Sequence, residues 1–195
     1  MNLSIALACR DELVRHGVAV NMSRTNDEDD NISEEIRECN AYSPDLAVDI
    51  HNNAGGGDGG EVFNSYLGGE GKTLAENILA EIVNIGQNSR GCKIRKNANG
   101  KDYYAFIRNT TCPAVIVECA FVDNSTDLEI LATEGKRQKM GQAIAKGILK
   151  TLGIEFQADS GTIYRVQVGA YKIKANAEAM QKRLQEAGFS SFITK

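Results

Sequence analysis

The stretch Leu46-Ala-Val-Asp-Ile-His51-Asn-Asn-Ala54 decides the fold of this 195-residue chain. Its apolar first half predicts a buried β-strand, and a glycine-rich loop follows at residues 55–60. His51 therefore stands at the carboxyl end of a strand, where open α/β sheets place their functional groups. Because the chain has only two histidines, His51 is a candidate metal ligand or acid–base group.

A second predicted strand has a carboxylate at its carboxyl end, as the first has a histidine. The run Pro113-Ala-Val-Ile-Val-Glu118 is apolar without interruption until its last residue, which predicts a strand covered on both faces. A buried carboxylate costs free energy unless it is paired, so a purely structural role for Glu118 is hard to explain. An imidazole and a carboxylate at two strand ends form the nucleus of a hydrolytic site.

The remaining sequence alternates helical and extended patterns. Helices are predicted at residues 2–16, 31–41, 73–85, 125–132 and 136–152, and strands at 18–22, 46–51, 61–66 and 114–117. This alternation predicts an α/β fold of three layers, a mostly parallel twisted sheet with helices on both faces. After a linker, a small βαβ unit is predicted from strands at 163–168 and 190–194 and a helix at 174–187. Such a short unit buries little core, so we expect it to pair with another copy or to dock on the main domain.

Composition excludes several classes of partner. With 42% hydrophobic and 25% charged residues the chain is globular, and its net charge of −4 argues against nucleic acid. No apolar run reaches the roughly 20 residues that span a membrane. The five cysteines are odd in number and lack a C-x-x-C pair, which favours reduced thiols over a disulfide framework or a zinc–thiolate site. The amino terminus lacks the basic flank and cleavage site of a signal peptide, which predicts a cytoplasmic location as encoded.

A series of short motifs resembles one enzyme family, the zinc-dependent N-acetylmuramoyl-L-alanine amidases of bacteria and their phages. The motifs are Asn2-Leu-x-Ile-Ala-Leu, Leu13-x-x-x-Gly17-Val18, Ser23-Arg24-Thr25, Arg37-x-x-Asn40-Ala41, Asp49-Ile-His51-Asn-Asn53-Ala54, Arg108-Asn-Thr-Thr-Cys-Pro113 through Glu118, and Phe121-Val-Asp-Asn124. The tail from Tyr164 to Phe189 resembles half of a sporulation-related (SPOR) repeat, a peptidoglycan-binding module. The expected domains are an amidase domain at 1–152, a linker at 153–161 and the half repeat at 162–195.

The resemblance implies a function and roles for particular residues. Members of the family cleave the amide between the lactyl group of muramic acid and L-alanine, using a water activated by zinc. The resemblance implies that His51 is a zinc ligand and that Glu118 is the catalytic carboxylate. Asn53 and Arg108 are candidate contacts for glycan or peptide, although each could equally hold a loop. Peptidoglycan is then the partner. Without a signal peptide, an endolysin or autolysin would reach the wall after release or lysis, and secretion stays open if the true amino terminus lies upstream.

The chain also departs from the family that it resembles. Family members carry two further zinc ligands, a histidine and a glutamate, before the helix with which this sequence begins. We therefore expect the first strand of the sheet to be missing and the zinc site to be incomplete, with weak or absent zinc binding. A non-catalytic or vestigial wall-binding protein is the alternative. A thiol hydrolase using Cys119 and His51 is a weaker one, because Cys119 follows Glu118 on the strand and should face the other way.

Overall fold

The computed structural model describes residues 1–28, 31–158, 167–189 and 191–194. The chain divides into two compact units, Met1–Gln157 and Ala158–Lys195. The helices and strands of the first unit, in chain order, are α1 (Asn2–Arg15), α2 (Ile32–Tyr42), β1 (Ala47–Asn53), β2 (Gly60–Asn64), α3 (Glu70–Asn84), β3 (Ser89–Lys93), α4 (Ala105–Asn109), β4 (Ala114–Phe121), α5 (Ser125–Leu131) and α6 (Glu134–Thr151). Among the described residues, none of the helices is both long and apolar enough to cross a membrane.

The four strands form one sheet in the order β1-β4-β2-β3. β1 runs parallel to β4 and β2 runs parallel to β3, whereas β2 and β4 are antiparallel. β4 lies inside the sheet, and nearly all of its residues are buried, as its unbroken apolar run predicts. The predicted mostly parallel α/β sheet is therefore confirmed.

Each face of the sheet is covered by its own hydrophobic core, so helices lie on both faces as predicted. The first core packs α1, α3 and α6 against Val62, Val117 and Cys119 of the sheet. The second core is smaller and packs α2 and α4 against Phe63 and Ile116. Because successive side chains of a strand point to opposite faces, neighbours such as Val62 and Phe63 belong to different cores.

Two parts of the sheet differ from the sequence prediction. The strand predicted at residues 18–22 is wrong: this segment is described, but it pairs with no strand. β1 is an edge strand, and a cavity of about 540 Å³ is lined by β1 on one side and residues 18–24 on the other. An extended segment needs a neighbour within hydrogen-bonding distance to become a strand, and the cavity separates the two. Conversely, β3 and α4 were not predicted, because both are only five residues long and lack a regular apolar period.

In the second unit the described residues contain one regular element, helix α7 (Lys174–Glu186), which confirms the helix predicted there. The strand predicted at 163–168 lies mostly outside the described residues, and residues 191–194 form no strand, so the βαβ prediction is wrong at that end. α7 has no buried residue. Six large apolar side chains among the described residues of this unit are exposed, namely Val168, Tyr171, Ile173, Phe189, Phe192 and Ile193.

Candidate active site

Three ionisable side chains form a row across the sheet. His51 of β1 lies opposite Glu118 of β4, which in turn lies opposite Glu61 of β2. Residues paired across neighbouring strands project to the same face, so the three side chains share the face that carries the second core. Strand order thus brings together the imidazole and the carboxylate that the sequence singled out, and it adds a second carboxylate beside them.

His51 stands at the rim of this row. Its Nε2 lies 2.8 Å from Oδ1 of Asp49, two residues earlier on the same strand, and its side chain is 48% exposed. The hydrogen bond with Asp49 raises the pKa of His51. Partial burial opposes this shift, while the negative charges of Asp49, Glu118 and Glu35 reinforce it. The imidazole is therefore accessible and protonates more readily than an isolated histidine.

Glu118 occupies the centre of the row and is partly buried. Burial raises the pKa of its carboxyl group, and the nearby charges of Glu61 and Asp49 add to this effect, whereas His51 opposes it. Its Oε2 atom is buried and has no hydrogen-bond partner among the described residues. A carboxyl group with a raised pKa and an unsatisfied oxygen is suited to take up a proton and return it. Such an orphaned oxygen also marks a place for water or a ligand.

Glu61 is a buried anion held by cations of the neighbouring strand β3. It is 4% exposed, and it accepts hydrogen bonds from Arg90 Nε at 2.8 Å, from Lys93 Nζ and, at 3.0 Å, from Asn53 Nδ2. Burial raises the pKa of Glu61, but the bonds from Lys93 and Arg90 outweigh it, and the net shift is downward. Sequence reasoning missed Arg90 and Lys93. The amide of Asn53 is engaged by Glu61, so its predicted contact with substrate stays a prediction.

Arg108 makes its hydrogen bonds outside this row. Its guanidinium donates to the carbonyl oxygens of Asp102 and Tyr103, at 2.8 and 2.7 Å. The buried Asp102 carboxylate in turn accepts from Ser65 Oγ at 2.7 Å and from the Tyr66 N–H at 2.9 Å. Arg108 therefore stabilises the loop at residues 102–103, and this loop in turn binds the segment that follows β2. None of the contacts of the described residues joins it to His51 or Glu118, and its predicted role in substrate binding stays a prediction.

The glycine-rich loop at residues 55–60, which follows His51, is held by hydrogen bonds to two carboxylates. Oδ2 of Asp123 accepts two consecutive glycine N–H groups at 2.8 Å each. Oδ2 of Asp127 accepts the N–H groups of Gly59 at 2.9 Å and Phe121 at 2.7 Å. The residues just after β4 thus fix the loop that borders the site, and sequence patterns alone did not identify this contact.

A catalytic zinc site normally has three protein ligands and one open position. The residues that the structure describes contain no group of three or more His, Cys, Asp or Glu side chains placed to hold a metal ion. His51 and the unpaired oxygen of Glu118 fit part of such a site, but alone they do not make a whole one. No step of the reaction is therefore assigned to a metal, and zinc binding stays a prediction.

Cys119 lies on the opposite face from His51. It is fully buried in the first core, and burial, with a further contribution from Glu118, raises the pKa of its thiol far above its ordinary value. A nucleophilic cysteine needs an accessible thiolate. This placement argues against the thiol hydrolase mechanism.

Comparison with known proteins supports this fold. Residues 1–150 match the N-acetylmuramoyl-L-alanine amidase family, and residues 140–195 match the SPOR domain. The chain therefore belongs to the N-acetylmuramoyl-L-alanine amidase family, a lineage of peptidoglycan hydrolases that is generally zinc-dependent. The resemblance seen in the sequence is confirmed, whereas the predicted domain boundaries at 152 and 162 stay predictions.

Individual relatives extend the match. The chain is 30% identical over 200 residues to the sporulation-specific N-acetylmuramoyl-L-alanine amidase of Bacillus subtilis (strain 168), covering 99% of this chain and 74% of that protein. Among solved structures, Cwp6 from Clostridium difficile superposes with a TM-score of 0.76 at 38% identity, covering 77% of this chain and 24% of that longer one. The catalytic domain of CwlV from Bacillus (Paenibacillus) polymyxa shares the fold, with a TM-score of 0.69 at 23% identity over 78% of this chain and 83% of that domain.

Proposed function

We propose that this chain hydrolyses the amide bond between the lactyl group of N-acetylmuramic acid and L-alanine in peptidoglycan. Membership of the amidase family supports the choice of bond. The single observation that carries the mechanism is the buried Oε2 atom of Glu118, which has no partner among the described residues and lies beside an accessible imidazole.

Amide hydrolysis requires one proton to leave the attacking water and another to reach the departing nitrogen. Glu118 takes the proton as the water oxygen bonds to the carbonyl carbon, and it delivers a proton to nitrogen as the carbon–nitrogen bond breaks. The products are a lactyl carboxylate on the glycan and a free L-alanine amino group. The neighbouring charges of Glu61 and Asp49 support this role, because they help to keep the pKa of Glu118 high.

His51 is the group of this chain that faces the reacting carbonyl or a metal ion. Its half-exposed ring is oriented by Asp49, which suits an imidazole that meets a ligand at the rim of a site. Zinc is the metal expected from the family. Because one imidazole next to one carboxylate is a poor zinc site, we propose that the described residues alone bind zinc weakly.

The test is digestion of purified peptidoglycan by the full chain, with and without added zinc, followed by mass spectrometry of the new ends. We expect free L-alanine amino termini, and we expect Glu118→Gln to lower their rate of release by about 100-fold or more, because the amide keeps the shape but cannot accept a proton. Cys119→Ala is the matched control on the adjacent residue, and it should retain activity if it folds. Equal rates for wild type and Glu118→Gln would refute the proposal. Binding to the wall without any new ends would favour a non-catalytic role.

We further propose that the tail binds peptidoglycan and pairs with the tail of a second copy. The SPOR match at residues 140–195 supports wall binding. The exposed apolar side chains of the second unit, including Phe189 and Phe192, support pairing, since such surfaces are usually covered. Sedimentation velocity of the full chain tests this: a dimer is expected, and a monomer at micromolar concentration would contradict it.

A further inference from the structure

Two of the five cysteines meet at the junction between α2 and β4. Cys39 lies in the last turns of α2, and Cys112 lies two residues before β4 begins. Each thiol shifts the pKa of the other, and both side chains pack, half-buried, against the second core. Both thiols are free. Residues far apart in sequence thus place two thiols close to each other at a partly accessible position.

The backbone around the two cysteines is held together independently of the sulfur atoms. Asn40, the neighbour of Cys39, donates from Nδ2 to the carbonyl oxygen of Asn109 at 3.0 Å. Its Oδ1 accepts the N–H of Thr111, the neighbour of Cys112, at 2.8 Å and the Thr111 hydroxyl at 3.1 Å. One asparagine therefore clamps α2 to the segment that leads into β4. These hydrogen bonds hold the backbone segments that carry the two thiols next to each other.

We propose that Cys39 and Cys112 are a redox modification site, forming a reversible intramolecular disulfide when the protein meets a small-molecule disulfide such as oxidised glutathione. Among the described residues, the other three cysteines offer no partly accessible pair, because Cys9 and Cys119 interact with each other only inside the core. Cys9 and Cys119 are buried in the first core, and Cys92 lies on β3 near Glu76 and Lys72. The proposal goes beyond amide hydrolysis and does not depend on it.

The reaction proceeds by two thiol–disulfide exchanges. The Cys39 thiolate attacks one sulfur of the oxidant, which forms a mixed disulfide and expels one small thiolate. The Cys112 thiolate then attacks Cys39 Sγ, which closes the protein disulfide and expels the second small thiolate. The two protons lost by the cysteines are taken up by the two small thiolates, and two electrons pass from the protein to the oxidant.

The electrostatics of the pair favour Cys39 as the first nucleophile. Burial raises the pKa of both thiols, that of Cys112 to about 11. The interaction between the two thiols acts in opposite directions, because it lowers the pKa of Cys39 and raises that of Cys112. Cys39 is thus the thiol whose ionised form the neighbour stabilises, and Cys112 is the resolving partner.

The disulfide would join the two sides of the site. α2 carries Glu35, whose charge acts on His51, and β4 carries Glu118. The bond closes a loop of about 70 residues, and restricting a loop of that size in the unfolded chain should raise Tm by about 9 to 18 °C. The thiols are expected to stay reduced in a cytoplasm and to oxidise at the cell wall, where reducing systems are absent.

The test uses the native full chain, incubated with oxidised glutathione and then alkylated in denaturant. We expect alkylatable thiols to fall from five to three, with a single cross-linked peptide joining Cys39 to Cys112, a higher Tm, and full reversal by dithiothreitol. In Cys39→Ser or Cys112→Ser the remaining partner should appear as a glutathione adduct. Cys92→Ser is the matched control, because it removes another half-buried thiol and should still lose two thiols.

Several outcomes would overturn the proposal. These are five thiols after oxidation, a cross-link that contains any other cysteine, or glutathione adducts on Cys39 and Cys112 of the wild type in place of a bond between them. Should a serine variant fail to fold, the peptide map of the wild-type protein decides the question by itself.

Discussion

Asp127 is a fully buried carboxylate that ties the glycine-rich loop after β1 to the end of β4. One of its oxygens accepts the N–H groups of Gly59 and Phe121, at 2.9 and 2.7 Å, and both hydrogen bonds are buried. The Asp127→Ala substitution removes the acceptor and leaves two backbone donors without a partner. Because these donors border the loop that follows His51, the change should weaken both the fold and the site.

The magnitude follows from the two lost hydrogen bonds. A hydrogen bond to a charged group contributes about 1.5–3 kcal/mol net, and a donor left unsatisfied in the interior costs a similar amount. Two such bonds give a loss of about 3–5 kcal/mol, allowing for water that enters the space left by the side chain. For a chain of this length each kcal/mol lowers Tm by about 2–4 °C, so a fall of roughly 10 °C is expected.

The assay is thermal unfolding followed by circular dichroism and calorimetry at neutral pH. Asp123→Ala is the matched control, because Asp123 also accepts two N–H groups of the same loop through one oxygen but is exposed, where water can replace it. We expect only a small change in Tm for this control. Equal shifts for the two variants, or a shift below about 2 °C for Asp127→Ala, would show that burial does not set the strength of these contacts.

Two further predictions test the site and the packing. Glu61→Gln should lower Tm at pH 7, since it discharges a buried anion held by Arg90 and Lys93. The folded pKa of Glu61 lies below its ordinary value of 4.5, so its stabilisation is lost as the pH falls through the folded pKa. The difference from wild type in a Tm-against-pH series should therefore shrink below about pH 4.5, and a constant difference would contradict this. Gly141→Ala places a Cβ against the backbone carbonyl oxygen of Ile5 on α1 and should cost about 1–3 kcal/mol in urea unfolding. Gly135→Ala on the same helix meets nothing within 4 Å and should be neutral or stabilising by up to about 1 kcal/mol, so equal losses would count against the packing explanation.

Sequence patterns predicted the elements whose signal is local. The apolar run before Glu118 identified a strand buried on both faces, and the apolar spacing of residues 73–85 identified α3. The segment 18–22 has the same extended character as a strand, but its pairing depends on a neighbour that is not adjacent in the described structure. β3 was not predicted because its sequence is polar, and its polar side chains Arg90 and Lys93 bind Glu61 on the neighbouring strand β2.

The candidate site also combines features that the local sequence predicts with features that depend on the strand order. The sequence placed His51 and Glu118 on two strands and Cys119 on the opposite face, because the two-residue alternation is a property of the local chain. Its prediction that the strands end at these residues is wrong, since β1 continues to Asn53 and β4 to Phe121. The sequence could not predict that Arg90 and Lys93 pair with Glu61, since these contacts depend on the strand order β4-β2-β3.

By itself, then, the sequence determined the α/β alternation, the two strands that carry His51 and Glu118, and the family to which the chain belongs. Only the tertiary structure decided what surrounds those residues: the raised pKa of Glu118, the two carboxylates that hold the glycine loop, and the placement of Cys39 close to Cys112. The physical reason is that periodicity and capping act over a few neighbouring residues. Burial, charge and thiol contact act through space, between residues that the strand order brings together from distant parts of the chain.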